Sequence, residues 1–231
     1  MNGQRPVLLI VAKAPVPGEV KTRLVPAFTP HQAAALAAAA LLDTLDACHT
    51  AAARAGAEVV VALAGDLTRA MAAEALSGAL GRVRVIPQRG DGLAQRLASA
   101  HTDAAGDFGT SLQLGMDTPH VDPDTVAHGL ARISSLPGPD ALVGRAVDGG
   151  WWALALRRAG TARCLTRVAM STTHTGDDTL AALRADRHTV DLLPLMRDVD
   201  TVDDLEQVAA TSDGRFGTLA RALHRWPQEA S

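Results

Sequence analysis

Short apolar runs recur along this chain, separated by segments whose apolar residues repeat with helical spacing. Val7 to Val11 and Glu58 to Ala64 lack in–out alternation and are bounded by turn residues, so each reads as a buried strand. Val83 to Ile86, ending at Pro87, Ser111 to Met116, a start at Ala141 to Val143, Trp151 to Leu156 and Val190 to Leu193 supply further strands. Between them lie helical patterns over Pro30 to Ala55 (entered near Thr29), Thr68 to Leu80, Gly92 to Ala105, Val126 to Ser134, Gly176 to Ala185 and Val202 to Ala210. Such alternation predicts an α/β fold with a mainly parallel sheet covered on both faces. No linker, repeat or low-complexity run interrupts it, so residues 1–231 read as a single domain. Ligands of open sheets bind beyond the carboxyl ends of the strands, which singles out Lys13, Gln88, Asp117 and Asp148.

The first strand runs into AKAPVPGEVKTRL, Ala12 to Leu24. Pro15, Pro17 and Gly18 restrict this loop and allow close approach to a ligand. Lys13, Lys21 and Arg23 place three cations within eleven positions. Arg grips phosphate oxygens as a two-pronged fork and Lys acts as a point charge, so the loop can hold a polyphosphate. It is not a Walker P-loop. That motif needs Gly six places and one place before the Lys, where this chain has Pro15 and Val20. By itself the loop reads equally as a Pro-rich surface loop carrying cations.

Composition narrows the partners. The formal net charge of -3 gives no general basic surface for nucleic acid, so the cationic loop is local machinery. Tyr is absent and aromatics total 3%, which argues against base-stacking platforms of the RNA-binding kind. Cys48 and Cys164 lack metal-ligand spacing and read as buried, inert thiols of a reducing cytoplasm. No uncharged apolar run is long enough to span a membrane, and the N-terminus has no signal-peptide pattern.

Acids gather where the cations would need them. Asp117 ends an apolar strand in LQLGMDTPH, Asp148 sits in VDGGWW, and Asp198 and Asp200 lie in RDVDTVDDL before a helix. Magnesium is commonly held by one or two carboxylates plus substrate phosphates, so these acids opposite the loop make a coherent metal-nucleotide site. Each also has a plainer reading. Asp117 also reads as a turn former, the Asp200-Thr201 pair as a helix cap, and Gly149-Gly150 as a bulge.

The segments AKAPVPGEVKTRL, QRGDGLAQRL (Gln88 to Leu97), LGMDTPHV, VGRAVDGGWWALAL and DVDTVDDL occur in the order seen in the DUF2064 family. From Val7 to Leu205 the chain resembles that family, the rSAM/selenodomain-associated transferase 1 type of the nucleotide-diphospho-sugar transferase superfamily. The resemblance implies the GT-A fold, a Rossmann-like three-layer sandwich with a mostly parallel central sheet. It implies that Lys13, Lys21 and Arg23 contact donor phosphates within a loop completed by Ala12, Pro15, Gly18 and Thr22. It places Gln88, Gly90 and Leu93 near the base, and matches Asp117 and Asp200 to the two metal ligands, with Mg2+ expected and Mn2+ as its alternative. Asp148 with Gly149-Gly150 looks like an acceptor-side or catalytic element, beside Lys21 and Arg23 as the other candidate catalytic residues. Arg145 and the Trp151–Trp152 pair depart from the family's usual Pro and Tyr. The Ser171 to Thr179 stretch looks like a further family motif leading into a helix that could bind an acceptor phosphate or carboxylate. Its plainer reading is capping by Thr175 or Ser171, with His174 in a solvent-exposed loop.

Two transferase chemistries suit this site, each with a nucleotide donor and a small-molecule acceptor. In nucleotidylyl transfer an acceptor phosphate attacks the α-phosphorus of a nucleoside triphosphate. In glycosyl transfer the nucleoside diphosphate leaves a sugar carbon. Three loop cations suit a departing pyrophosphate better, so nucleotidylyl transfer leads and glycosyl transfer is the alternative. A non-catalytic nucleotide sensor is a third reading, opposed by the presence of both Asp117 and Asp200.

Overall fold

The computed structural model describes residues 5–224. Seven strands form one sheet: β1 (Val7–Lys13), β2 (Glu58–Ala64), β3 (Arg84–Pro87), β4 (Ser111–Gly115), β5 (Ala141–Ala146), β6 (Trp151–Leu156) and β7 (Val190–Met196). Their order is β3-β2-β1-β4-β6-β5-β7. All pairings are parallel except the two made by β6, which runs antiparallel to β4 and β5. The sheet is therefore mostly parallel, and β6 reverses because the tight Asp148–Gly150 turn leaves no room for a crossover.

The helices are α1 (Pro30–Ala55), α2 (Ala73–Leu80), α3 (Gly92–Ala105), α4 (Pro123–Ser134), α5 (Thr175–Ala185), α6 (Val202–Thr211) and α7 (Arg215–His224). Alternate residues of β1 face opposite layers, as the two-residue period of a strand requires. Leu8 and Ile10 pack with α1, α2 and α4, while Val7 and Leu9 pack with α3. Residues of α3, α5 and the 3-10 segment Ala159–Arg167 cover β5 and β6 on that second side. The fold is thus helix–sheet–helix in three layers. On its outer side α1 meets α6 and α7 through Leu36, Leu205, Val208 and Phe216, which explains why this Ala-rich helix is apolar nearly all round.

Several expected boundaries move. Thr68 to Leu80 is not one helix: a 3-10 turn over Leu67–Arg69 precedes α2, because the Met71 N–H donates to the Pro15 carbonyl (2.9 Å) instead of continuing a helix. The 3-10 segment Ala159–Arg167 and α7 carry no counterpart among the sequence expectations. Cys48 and Cys164 are both free and buried, and burial pushes their thiols up to about 12 and about 11. Among the described residues, no helix is long and apolar enough to cross a membrane.

Candidate functional site

The loop after β1 is pinned at both ends. The Ala14 N–H donates to the Ala64 carbonyl of β2 (2.7 Å), and buried Leu24 anchors the far end against Phe28 and Leu36. Between these anchors Lys21 adopts a left-handed backbone, φ 49, which an L-residue other than Asn or Asp visits at a cost of about 1–2 kcal/mol. That turn carries its side chain inward, where it is only 7% exposed.

Three partners offset the strain. The Lys21 Nζ donates to Asp117 Oδ1 (2.7 Å), to Asp200 Oδ1 (3.1 Å) and to the Val199 carbonyl. Arg23 Nη1 reaches the other Asp200 oxygen, Oδ2, at 3.2 Å. The backbone explains how residues so distant in sequence meet: the Val199 N–H donates to the Asp117 carbonyl (3.0 Å), laying the segment before α6 along the end of β4. Burial opposes the Lys21 charge, but Asp117 and then Asp200 outweigh it, and the ammonium is held above its ordinary pKa.

Asp200 is not a helix cap. Thr201 takes that place in α6 and forms a capping box with Asp204, which leaves the Asp200 carboxylate for Lys21 and Arg23. Asp117 likewise points to Lys21 rather than closing a turn on itself.

Asp198 was visible in the sequence as one acid of a run, yet its position is distinctive only in three dimensions. Its carboxyl is pushed up to about 7 by burial first, then by Asp117, Asp148 and Asp200, with Lys21 opposing. Its Oδ1 is buried without a hydrogen-bond partner. Four carboxylates thus share a region that Lys21 and Arg23 neutralise only in part, a deficit that suits a divalent cation. Among the described residues, no three His, Cys, Asp or Glu side chains form a ready metal cage.

Two adjoining cavities meet at this cluster. One, about 270 Å3, is lined by Lys13, Thr22 and Arg23 of the loop together with Asp117 and Asp200. Lys13 shares that cavity, although its ammonium donates to the Glu19 carbonyl (2.9 Å). The other, about 630 Å3, extends from Ala12, Gln88 and Leu93 past Asp117, Asp198 and Asp200 to Asp148, Trp151 and Ser171–Thr173. Pro15, Gly18 and Gly90 line neither cavity; Pro15 is buried and its carbonyl ties the loop to Met71. Gln88 spends its amide N–H groups on the Ala12 and Ala62 carbonyls (2.9 Å each), joining β1 to β2 at the cleft floor.

Asp148 is set by its turn. Its Oδ1 accepts from the Gly150 N–H (2.8 Å), and Gly149 has φ 91 with the Thr173 carbonyl so close that a Cβ would overlap it. Gly149 returns the contact by accepting from the Gly176 N–H (2.8 Å), so the start of α5 locks the turn. Arg145 pairs with Asp177 of α5 (2.9 Å), and buried Trp152 donates to the Pro194 carbonyl (2.9 Å). Of the two Trp residues, Trp151 is the one that lines the cleft. His174 is exposed, as expected, but it occupies the N-cap position itself without a side-chain cap bond. Thr175 lies inside α5 and its hydroxyl donates to the Ala169 carbonyl (2.9 Å), so neither Thr175 nor Ser171 caps the helix.

The family described as "Uncharacterized protein conserved in bacteria (DUF2064)" matches residues 44–172, more than half of the chain. The chain belongs to this family. The match includes Gln88, Asp117 and Asp148, while the first loop and Asp200 lie outside it. Among solved structures, the DUF2064 chain is similar to a protein of Desulfovibrio desulfuricans G20 assigned to the nucleotide-diphospho-sugar transferases. The two are 27% identical over 96% of this chain and 97% of that one, with a TM-score of 0.80. It shares its fold with Rv0371c from Mycobacterium tuberculosis H37Rv (22% identity, 90% and 98% coverage, TM-score 0.51). The same holds for a CMP:2-keto-3-deoxy-manno-octonic acid synthetase solved with CTP (15%, 90% and 98%, 0.54). No curated protein matches. The architecture is therefore that of the nucleotide-diphospho-sugar transferases.

Proposed function

We propose that this DUF2064 protein is a divalent-metal-dependent transferase, one domain over residues 1–231, that moves a nucleotidyl group from a nucleoside triphosphate to a small phosphorylated acceptor. The observation that carries the reading is the meeting of Lys21 and Arg23 with Asp117 and Asp200 at the carboxyl end of the sheet. The solved synthetase with CTP bound supports a triphosphate donor on this architecture.

Asp117 and Asp200 would hold the magnesium, with manganese as its substitute, and the ion would neutralise charge on the donor phosphates. Lys13, Lys21 and Arg23 surround the smaller cavity and would bind the β- and γ-phosphates. There they stabilise the charge that grows as pyrophosphate departs. A P–O bond forms between an acceptor phosphate oxygen and the α-phosphorus. The α–β bridging bond breaks, and pyrophosphate carries off the electron pair. Ala12, Gln88 and Leu93 line the end of the larger cavity where the base would lie, and Asp148 with Trp151 faces the acceptor end. The deciding experiment is a screen of nucleoside triphosphates and nucleotide sugars with magnesium. Pyrophosphate release supports nucleotidylyl transfer. Nucleoside diphosphate release from a sugar donor supports glycosyl transfer instead, the reading favoured by the assignment of the Desulfovibrio protein.

A further inference from the structure

We infer that Lys21 is a built-in counter-ion: in the nucleotide-free protein its ammonium holds the place of the divalent cation between Asp117 and Asp200, so metal enters only with donor phosphates that draw the lysine away. The inference rests on the proposed metal-nucleotide reading and adds an order of binding to it.

The ammonium already occupies the position between one oxygen of each carboxylate. Lys21 Nζ lies 2.7 Å from Asp117 Oδ1 and 3.1 Å from Asp200 Oδ1, touching one oxygen of each carboxylate. A magnesium ion binds oxygen at about 2.0–2.1 Å, so an ion bridging these two atoms would be pressed against the ammonium, cation on cation. The lysine is also committed to this post. Its side chain is 7% exposed, it bonds the Val199 carbonyl as well, and its left-handed backbone aims it there. Arg23 engages the opposite Asp200 oxygen from an exposed position, so it need not leave when the exchange occurs. A lysine suits the exchange because its charge is compact and its four-carbon stem is flexible. The smaller cavity, bounded by Lys13 and Arg23, lies directly beside Lys21, and phosphates placed there would offer the ammonium new anionic partners. Because coupling is reciprocal, nucleotide would tighten metal binding and metal would tighten nucleotide binding by the same factor.

The test uses Mn2+ as probe, counted by electron paramagnetic resonance on the metal-stripped, nucleotide-free full chain. The wild-type protein is expected to bind Mn2+ weakly, and Lys21→Met to bind it at least about tenfold more tightly, a modest share of the repulsion between charges this close. Lys21→Arg, which keeps the charge, should remain near the wild type. Adding Asp117→Asn to Lys21→Met should remove the gain. If folded Lys21→Met binds Mn2+ no more tightly than the wild type, the inference is overturned. Should Lys21→Met fail to fold, nitrogen-15 lysine spectra of the wild type answer the same question. The protected Lys21 ammonium signal should survive Mg2+ alone and vanish when Mg2+ and a nucleoside triphosphate are added together; its loss to Mg2+ alone overturns the inference. Failure of the underlying reading looks different: Mn2+ binding would then ignore Asp117→Asn, and turnover with any donor would proceed without a divalent cation.

Discussion

At the scale of single residues, the centre of the site is a charge balance rather than a sequence motif. The Lys21 ammonium is buried and Arg23 is exposed, and their polar contacts are all to acids or to one carbonyl. Arg23→Ala should therefore leave the fold intact and raise the barrier to transfer by about 2–4 kcal/mol, the usual loss when one preorganised donor to developing charge is removed. Steady-state kcat/KM with the physiological donor, beside a melting curve, checks it; full turnover would remove Arg23 from the mechanism. Asp117→Asn should abolish metal-dependent turnover, with Asp200→Asn milder because Lys21 and Arg23 already share the Asp200 charge. Carboxylate repulsion alone would have Asp117→Asn leave the melting temperature unchanged or slightly higher. The Lys21 contact reverses that expectation: Asp117 is the nearest partner of a buried ammonium, and its neutralisation should cost the metal-free protein roughly 1–3 kcal/mol. Denaturant titration of the variant in chelator decides between the two signs.

At the scale of elements, what was legible in the sequence followed from periodicity and caps. The bounds of α1, α3, β2 and β6 coincide with the expected ones, because Thr29 with Gln32, a Gly-rich entry and continuous apolar runs are local signals. Illegible features were set at long range. The expected helix over Thr68 to Leu80 breaks where Met71 bonds Pro15, and α7 starts where Asp43 of α1 accepts from the N–H groups of Arg215 (3.1 Å) and Phe216 (2.8 Å). A cap supplied from another helix leaves no trace near the helix it caps. The Asp148 turn shows the same dependence in the site itself. Gly149→Ala should destabilise the protein by at least about 1–3 kcal/mol, since it combines φ 91 with a Cβ driven into the Thr173 carbonyl. Turnover should fall more than donor binding, because Asp148 lines the end of the cleft proposed for the acceptor. Thermal unfolding and a KM-against-kcat comparison read both effects; an unchanged melting temperature would show that the α5 contact does not hold this turn.

At the scale of the whole molecule, alternating strands and helices made a mostly parallel sheet predictable, but not the order that inserts β6 between β4 and β5. Order is decided by which faces bury best together, and a single chain's pattern does not record it. Nor does it record that a titratable group lies at the centre. His101 of α3 is fully buried against β4, its Nδ1 bonded to the Ser111 hydroxyl (2.7 Å) and its Nε2 without a partner. Burial drives its pKa down to about 3, with the neighbouring Gln113 opposing. In the unfolded chain the same ring titrates near 6.5, so the unfolded state takes up the proton first as pH falls. His101 therefore subtracts nothing above pH about 6.5, and it progressively destabilises the fold between there and pH about 3. Between pH 7 and pH 4 the loss should be about 3 kcal/mol. Carboxylates elsewhere add their own acid dependence, so the informative quantity is the difference between wild type and His101→Leu. That variant loses the Ser111 bond at every pH but cannot bind the proton. Its disadvantage relative to the wild type, measured by urea unfolding, should shrink steadily from pH 7 to pH 4. Two curves running parallel across that range would mean that the buried ring does not govern the acid side of this fold.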